Sequence, residues 1–353
     1  MLDAAFATAR GLRPSGGRRI VDAAGSAIPF GIQQSLTLRI GDVALPRQDA
    51  AVLPLPNPLV DRGRRPRLAG LIGLNGFGHS IIRIEWAARR LELLADDAEP
   101  DPAGTSLPLA TRLAFGPGSA TGPQWLGATV SATLDGTQLD LGLDTGFAGI
   151  VRLNESFVQQ QDLLNRYEKH IDFLGPGRRP SLSMTMARRL GLGGVSIEQP
   201  VVAMSRAPAP DNFMTFGLGL DQRRILRPDR PGPAGALGFA ALLHYKPFID
   251  IAGQRLVLEP RVIPLPSGRK NFRDAGLLLD KPEHDAFTVS AVAAGTPAAQ
   301  AGIIPGDQIT SVNGVPATDL AVFDYARLEA AGPVKLQFAT GPERTLSAAQ
   351  LLP

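Results

Sequence analysis

The chain has 353 residues, 44% of them hydrophobic, which is enough for two or three cored domains. Its formal net charge is only +3 and aromatic residues make up 6%, so no basic stripe interleaved with stacking side chains marks a nucleic-acid surface. The absence of cysteine excludes disulfides, thiolate metal sites and cysteine nucleophiles, and none of the four histidines pairs at metal-ligand spacing, so no metal or cofactor is expected.

Gly (39) and Pro (31) punctuate many short alternating apolar runs, the composition of a mainly β protein rich in turns. Met1 to Arg19 lacks the layout of a signal peptide, because Asp3 comes early and no apolar block follows a basic start. No run is long and apolar enough for a membrane-spanning helix. Taken literally, these features predict a soluble, unexported chain. The densest basic cluster, Arg62-Gly63-Arg64-Arg65-Pro66-Arg67, reads as a solvated loop held open by Gly and Pro. Glu92 to Pro108 is acidic and then Pro- and Gly-containing, and reads as a linker. Arg261 to Arg269, with Pro264, Pro266 and Gly268, reads as a second. These divide the chain into 1–95, 107–262 and 263–353.

The first two blocks share a repeat. Gly70 to Leu94 (GLIGLNGFGHSIIRIEWAARRLELL) aligns without gaps to Gly235 to Glu259 (GALGFAALLHYKPFIDIAGQRLVLE), at an offset of 165 residues. Gly70/Gly235, Gly73/Gly238, His79/His244, Ile84/Ile249, Arg90/Arg255, Leu91/Leu256 and Leu93/Leu258 match. Each copy ends as strand, short turn, strand. Two copies suit a pair of similar lobes rather than a solenoid. His79 and His244 read as sharing a structural hydrogen bond, and Glu85 and Asp250 read as structural. Gly73-Leu74-Asn75-Gly76-Phe77-Gly78 lacks the βαβ context of a dinucleotide loop.

The second block opens on a hairpin signal. Leu126 to Leu134 is β-prone, and Asp135-Gly136 is a two-residue turn that suits strand twist. Leu139, Leu141 and Leu143 then alternate with Gln138, Asp140 and Gly142, the pattern of a half-buried strand. The strand runs into Asp144-Thr145-Gly146. Partial burial there would perturb the carboxylate, Thr145 has a hydroxyl to hold the turn, and Gly146 permits close approach of backbone or substrate. Asn212 to Phe216 reads as either a buried strand or a substrate-facing segment.

Leu139 to Val151 (LDLGLDTGFAGIV) resembles the active-site strand and loop of retropepsin-like and pepsin-like aspartic proteases. The resemblance covers roughly 107–262. It implies that Asp144, Thr145 and Gly146 form a catalytic loop. It also implies that Ala236-Leu237-Gly238, the family's hydrophobic-hydrophobic-Gly element, supports that loop from behind, with a flap between. Leu71-Ile72-Gly73 is the corresponding element of the first block. Peptide hydrolysis by this route needs two carboxylates around one water, one ionised and one protonated. A lone aspartate, with a reference pKa of about 3.9, cannot supply the acid at neutral pH. No second D-T-G or D-S-G occurs in the sequence. Aligning Leu2-Asp3-Ala4-Ala5-Phe6-Ala7 with Leu153-Asn154-Glu155-Ser156-Phe157-Val158, an offset of 151, places the expected first D-T-G just ahead of Met1. Three possibilities stay open: an upstream half carrying that aspartate, a homodimer in which Asp144 meets its copy, and a degenerate peptide-binding scaffold. Because proteins of this class are usually exported, an upstream half would also imply a periplasmic location; without one the expectation is cytoplasmic.

The third block resembles a bacterial PDZ domain. Asp274 to Leu279 sits where the carboxylate-binding loop falls, and Val289 to Val292 reads as a strand. Gly295 to Gly302 matches the turn and short helix, with Pro297 at the helix start. Pro305-Gly306-Asp307-Gln308-Ile309 and Val312-Asn313-Gly314 complete the signature, and Asp319 to Ala331 is expected to form a second helix. The resemblance implies that a peptide C-terminus adds as a strand, its carboxylate on backbone N–H groups at Gly276, Leu277, Leu278 and Leu279. The predicted architecture is therefore mainly β: two retropepsin-like lobes, the first incomplete at its start, and a C-terminal α+β PDZ domain. The expected partners are protein or peptide substrates and peptide C-termini.

Overall fold

The computed structural model describes residues 1–21, 27–55, 69–77, 80–86, 88–115, 124–206, 233–261, 272–280, 285–320, 325, 328–329 and 331–352. The Arg62–Arg67 cluster, His79, residues 212–216, most of the second predicted linker and much of the last predicted helix lie outside these. The chain is mainly β, as the alternating runs imply. Among the described residues no helix is long and apolar enough to cross a membrane.

In the first block β1 (Leu2–Asp3) leads into α1 (Ala4–Ala9). Asp3 caps that helix, its Oδ1 accepting from the N–H groups of Ala5 (3.1 Å) and Phe6 (3.2 Å), which lack partners inside the helix. β2 (Ser15–Val21), β3 (Ala27–Leu36), a small hairpin of β4 (Arg39–Ile40) and β5 (Val43–Ala44), and β6 (Gln48–Leu53) follow. The sheet order is β1-β6-β3-β2, with β1 and β6 parallel and the rest antiparallel. A hairpin of β7 (Ile81–Glu85) and β8 (Arg90–Leu94) closes the block.

The second block begins with β9 (Thr105–Phe115), β10 (Gln124–Leu134) and β11 (Thr137–Asp144), antiparallel neighbours. The Asp135-Gly136 turn forms where the sequence places it, both residues at positive φ (48° and 86°). The Asp135 carboxylate accepts from the N–H groups of Arg188 and Arg189 and from the Tyr167 hydroxyl, which ties the turn to the lobe. β12 (Val151–Leu153) then leads into α2 (Glu155–Gln160) and α3 (Leu163–Arg166). A hairpin of β13 (His170–Leu174) and β14 (Pro180–Met186) follows. After it come the β15 (Arg189–Leu192)–β16 (Val195–Glu198) hairpin and β17 (Val201–Ser205). β18 (Gly235–Gly238) runs into α4 (Phe239–Leu242), and β19 (Lys246–Asp250) with β20 (Arg255–Glu259) makes the last hairpin.

The two blocks repeat one design. The sheet β12-β17-β14-β13 copies β1-β6-β3-β2 strand for strand, including its single parallel pair. Asn154 stands before α2 where Asp3 stands before α1. β19–β20 falls at the same offset of 165 residues from β7–β8 that the sequence repeat shows. β7 and β19 pair antiparallel, with Arg83 opposite Phe248, its own repeat equivalent. A local pseudo-two-fold axis therefore passes between the hairpins. The joined sheet runs β8-β7-β19-β20-β9. One core spans both blocks, Leu45, Phe77 and Ile82 packing with Leu141, Leu153, Leu237 and Leu256.

The C-terminal unit contains β21 (Phe272–Asp274), β22 (Leu277–Asp280), β23 (Phe287–Ala293), α5 (Pro297–Gln300), β24 (Gln308–Val312) and β25 (Val315–Pro316). β26 (Val334–Phe338), β27 (Arg344–Leu346) and β28 (Ala349–Leu352) complete it, and Tyr325, Leu328 and Glu329 have helical backbone. Its own core gathers Phe287, Val289, Ile309, Val312, Leu336 and Phe338. β23 also pairs with β13 of the second block, Phe173 opposite Ala293 and Leu174 opposite Val292. Phe173 is buried there with Ala291 and Ala293, against Leu182, Met184 and Leu278.

One buried charge ties the repeated hairpins together. Glu259 is fully buried and meets Arg83 of the other hairpin at 3.0 Å and Lys246 at 3.2 Å. It also accepts from the Asp101 N–H at 2.9 Å. The predicted linker, Glu92 to Pro108, is strand at both ends, and the stretch 95–104 between β8 and β9 is anchored at Asp101. Removing Arg83 leaves the buried Glu259 charge to Lys246 and the Asp101 N–H alone. Arg83→Met is therefore expected to lower stability by about 1–3 kcal/mol, measured by urea denaturation of the full chain.

Candidate active site and peptide-binding loop

β18 is the element that positions Asp144. It lies between β11, to which it is parallel, and β12, to which it is antiparallel. Asp144 stands opposite Gly238, at the end of both strands. Ala236 and Leu237 are buried, as a strand bonded on both edges requires. At Gly238 an added Cβ would meet Gly149 O at 2.2 Å and Phe147 O at 2.6 Å. Only glycine lets the 144–149 loop close onto β18. The loop is then pinned by three backbone bonds: Gly238 N–H to Ile150 O (2.9 Å), Phe239 N–H to Phe147 O (2.7 Å) and Ala240 N–H to Gly149 O (3.2 Å). Trp86, from the first block, donates its indole N–H to Leu242 O at 3.0 Å and stacks edge-on against Phe239 at 4.7 Å. It fixes α4 behind the loop.

Asp144 is half-buried, and its Oδ1 accepts from the Gly146 N–H at 2.9 Å. The carboxylate itself thus holds the turn, and Thr145 beside it is exposed. Burial pushes the Asp144 carboxyl above the usual range, opposed by the Gly146 and Phe147 N–H groups and by Arg152. Arg152 of β12 is held by Ser205, its Nε donating to Oγ at 3.2 Å, and its burial pulls the guanidinium down while Asp144 sustains the charge. Sequence reasoning missed Arg152, Trp86 and Phe239. Arg152 was the findable one, as a lone charge in an apolar strand just after the D-T-G. Among the described residues no second carboxylate is one of the groups acting on Asp144. As it stands, the site offers one carboxylate beside one guanidinium, suited to orienting a polar group or a water but lacking the second acid.

The corresponding element of the first block is built differently from expectation. Leu71, Ile72 and Gly73 form no strand, and Ile72 is 44% exposed where its equivalent Leu237 is fully buried. The reason is geometric. Gly70 makes an antiparallel bridge to Leu2, as Gly235 does to Leu153, but no described strand occupies the place of β11. Without that second edge the segment leaves the sheet and supports no loop. His244 is half-buried, its ring held below its ordinary pKa by burial and by Arg261, and Asp250 caps the β19–β20 turn through Gly253 N–H and Arg255.

In the C-terminal unit, Leu277 and Leu279 point into the core, while Leu278 packs against the β13–β14 hairpin. Gly276 sits at φ 86°, and an added Cβ would meet Thr296 at 2.2 Å. The loop amides are not vacant. Ala275 N–H donates to Glu329 Oε1 at 2.8 Å, and Gly276 N–H to Asp274 Oδ1 at 2.6 Å. Tyr325 donates its hydroxyl to the same Glu329 oxygen at 3.3 Å. Burial first, then the Asp274 charge, push the Glu329 carboxyl up to about 7.

Residues 288–338 match the model of the PDZ domain family, β23 to β26 of the unit just described. No curated protein matches the chain. Among solved structures, the chain is similar to a retropepsin-like aspartic protease from Rickettsia conorii at 13% identity and a TM-score of 0.24, covering 44% of this chain and 92% of that one. It is also similar to Basic 7S globulin from soybean at 14% identity and a TM-score of 0.32, covering 70% of this chain and 74% of that one.

Two predictions follow from this geometry. Gly238→Ala forces its methyl against backbone oxygen atoms and is expected to cost about 1–3 kcal/mol of stability, read by chemical denaturation. The pKa of Glu329 is higher folded than unfolded, so the stability linked to its proton is complete below about 4.5 and is lost as pH rises through about 7. Glu329→Gln should flatten that part of the pH–stability curve, as followed by thermal denaturation across the range.

Proposed function

We propose that this protein is an aspartic-type peptidase built on two retropepsin-like lobes, with Asp144 as one of two catalytic carboxylates and a PDZ domain that binds peptide. The observation that carries the reading is the seating of Asp144. The residue ends a strand bonded edge-on to a glycine-terminated strand, which a third strand braces from the other side. The pseudo-two-fold relation of the blocks supports a partner opposite Asp144, beside Leu2 and Gly70, where no described strand stands as the counterpart of β11. In this reading the partner carboxylate comes from a second copy or from a segment beyond the described residues. One carboxylate, ionised, takes the proton of a water as it attacks the peptide carbonyl; the other, protonated, donates to the carbonyl oxygen. Thr145 and Gly146 shape the turn, and Ala236, Leu237 and Gly238 brace it. The reaction needs no cofactor, and its substrates are proteins or peptides.

A second reading is favoured by one observation. Arg152 lies within electrostatic range of Asp144 and favours its ionised form, and among the described residues no second acid acts on it. On that reading the lobes are a scaffold that binds peptide without cutting it.

The experiment is cleavage of a quenched-fluorescent peptide library by the full chain, from acid to neutral pH, with sedimentation to report its oligomeric state. The peptidase reading expects cleavage sensitive to pepstatin and reduced at least about 100-fold by Asp144→Asn. Peptide binding without cleavage, unchanged in Asp144→Asn, would establish the scaffold instead.

A further inference from the structure

Resting on the reading of residues 272–352 as a peptide-binding PDZ domain, we infer that its groove takes an internal stretch of extended polypeptide and not a free C-terminus, because two acidic side chains of the chain already fill the loop that would receive a terminal carboxylate.

A peptide end is captured in such a loop when consecutive backbone N–H groups are free to donate to its carboxylate. Here the amide of Gly276, the first of the four expected to receive it, and the amide of Ala275 just before it are both engaged. Glu329 reaches the first from the helical segment at 325–329, and Asp274 reaches the second from within the loop. Glu329 is 9% exposed and Tyr325 is 4% exposed, so the first acceptor is built into the core rather than resting on the surface. Tyr325 orients it by donating to the same oxygen. A terminal carboxylate entering this niche would have to displace two acceptors and would meet two acidic side chains at short range. Like charges that close are mutually unfavourable, and the Glu329 carboxyl, raised first by its burial, is raised further by Asp274.

The strand that would pair with a bound segment is present. β22 pairs with β23 on one edge only among the described residues, leaving its outer edge open to strand addition. Leu277 and Leu279 face the core, so the recognition left to that edge is backbone pairing, which reads an extended segment anywhere along a chain. The acidic end of the groove complements a segment that presents amide N–H groups or a basic side chain there. It does not complement a carboxylate.

The test uses the full chain and a library of short peptides, every member made both as the free acid and as the C-terminal amide, with affinities read by fluorescence anisotropy. Equal binding of the two forms is expected for the wild type. Truncating the acceptors, singly as Glu329→Ala and Asp274→Ala and then together, should release the amides and give the free acids an advantage of about tenfold or more, the scale of charge-assisted hydrogen bonds. Asp274→Ala, at the half-buried end of β21 and not in the core as Glu329 is, guards against loss of folding in the Glu329 variant. A wild-type preference for free acids would overturn the inference and keep the peptide-binding reading. Failure of the variants to gain that preference would overturn the assignment to Asp274 and Glu329. No binding of either form would overturn the peptide-binding reading itself.

Discussion

The structure depends on how closely β18 must approach its neighbours. At Gly235 an added Cβ would fall 1.9 Å from Arg152 O, and at Gly238 2.2 Å from Gly149 O. These are backbone atoms of β12 and of the loop that runs into it, so no side-chain adjustment can relieve them. The strand is a wedge whose two glycines set its approach to β12 and to the 144–149 loop, and that approach sets where Asp144 emerges. Everything else near the site is support: α4 behind the wedge, Trp86 behind α4, and the shared core behind both.

The first block keeps half of this constraint. An added Cβ at Gly70 would lie 2.2 Å from Met1 O, the counterpart of the Gly235–Arg152 approach. Gly73, the counterpart of Gly238, has no such loop against it among the described residues. The two lobes are therefore alike in their sheets, helices and terminal hairpins, and differ where β9, β10 and β11 stand. That difference is what leaves Asp144 without a carboxylate facing it among the described residues. It is also why identical-looking letters behave differently: Leu237 is sealed between two strands, and Ile72 faces solvent.

Much of this was legible in the sequence because it is local. The Asp135-Gly136 turn, the alternating strand into Asp144 and the register of the two hairpins follow from residue-by-residue rules. The repeat offset carried over into three dimensions because hairpins of the same length and turn bury the same face. What the sequence did not disclose is set by contacts between distant segments. Arg152 reads as one charge in a strand until Asp144 and Ser205 are placed beside it. Glu329 reads as a surface acid on a helix until Ala275, far away in sequence, donates to it. Burial of a polar group is decided by what comes to cover it, and that is a property of the fold and not of a window of residues.

The pairing of β13 with β23 has a consequence for what counts as a unit of this molecule. Hydrogen bonding is continuous from β11 through β18, β12, β17, β14 and β13 into β23 and β22. The join is short, but Phe173 is buried within it. A chain cut ahead of β21 would leave β13 as a bare strand edge beside an uncovered phenylalanine, the combination that invites edge-to-edge association. The last division visible in the sequence is thus bridged by strand pairing, and the C-terminal unit covers an edge of the lobe that carries Asp144.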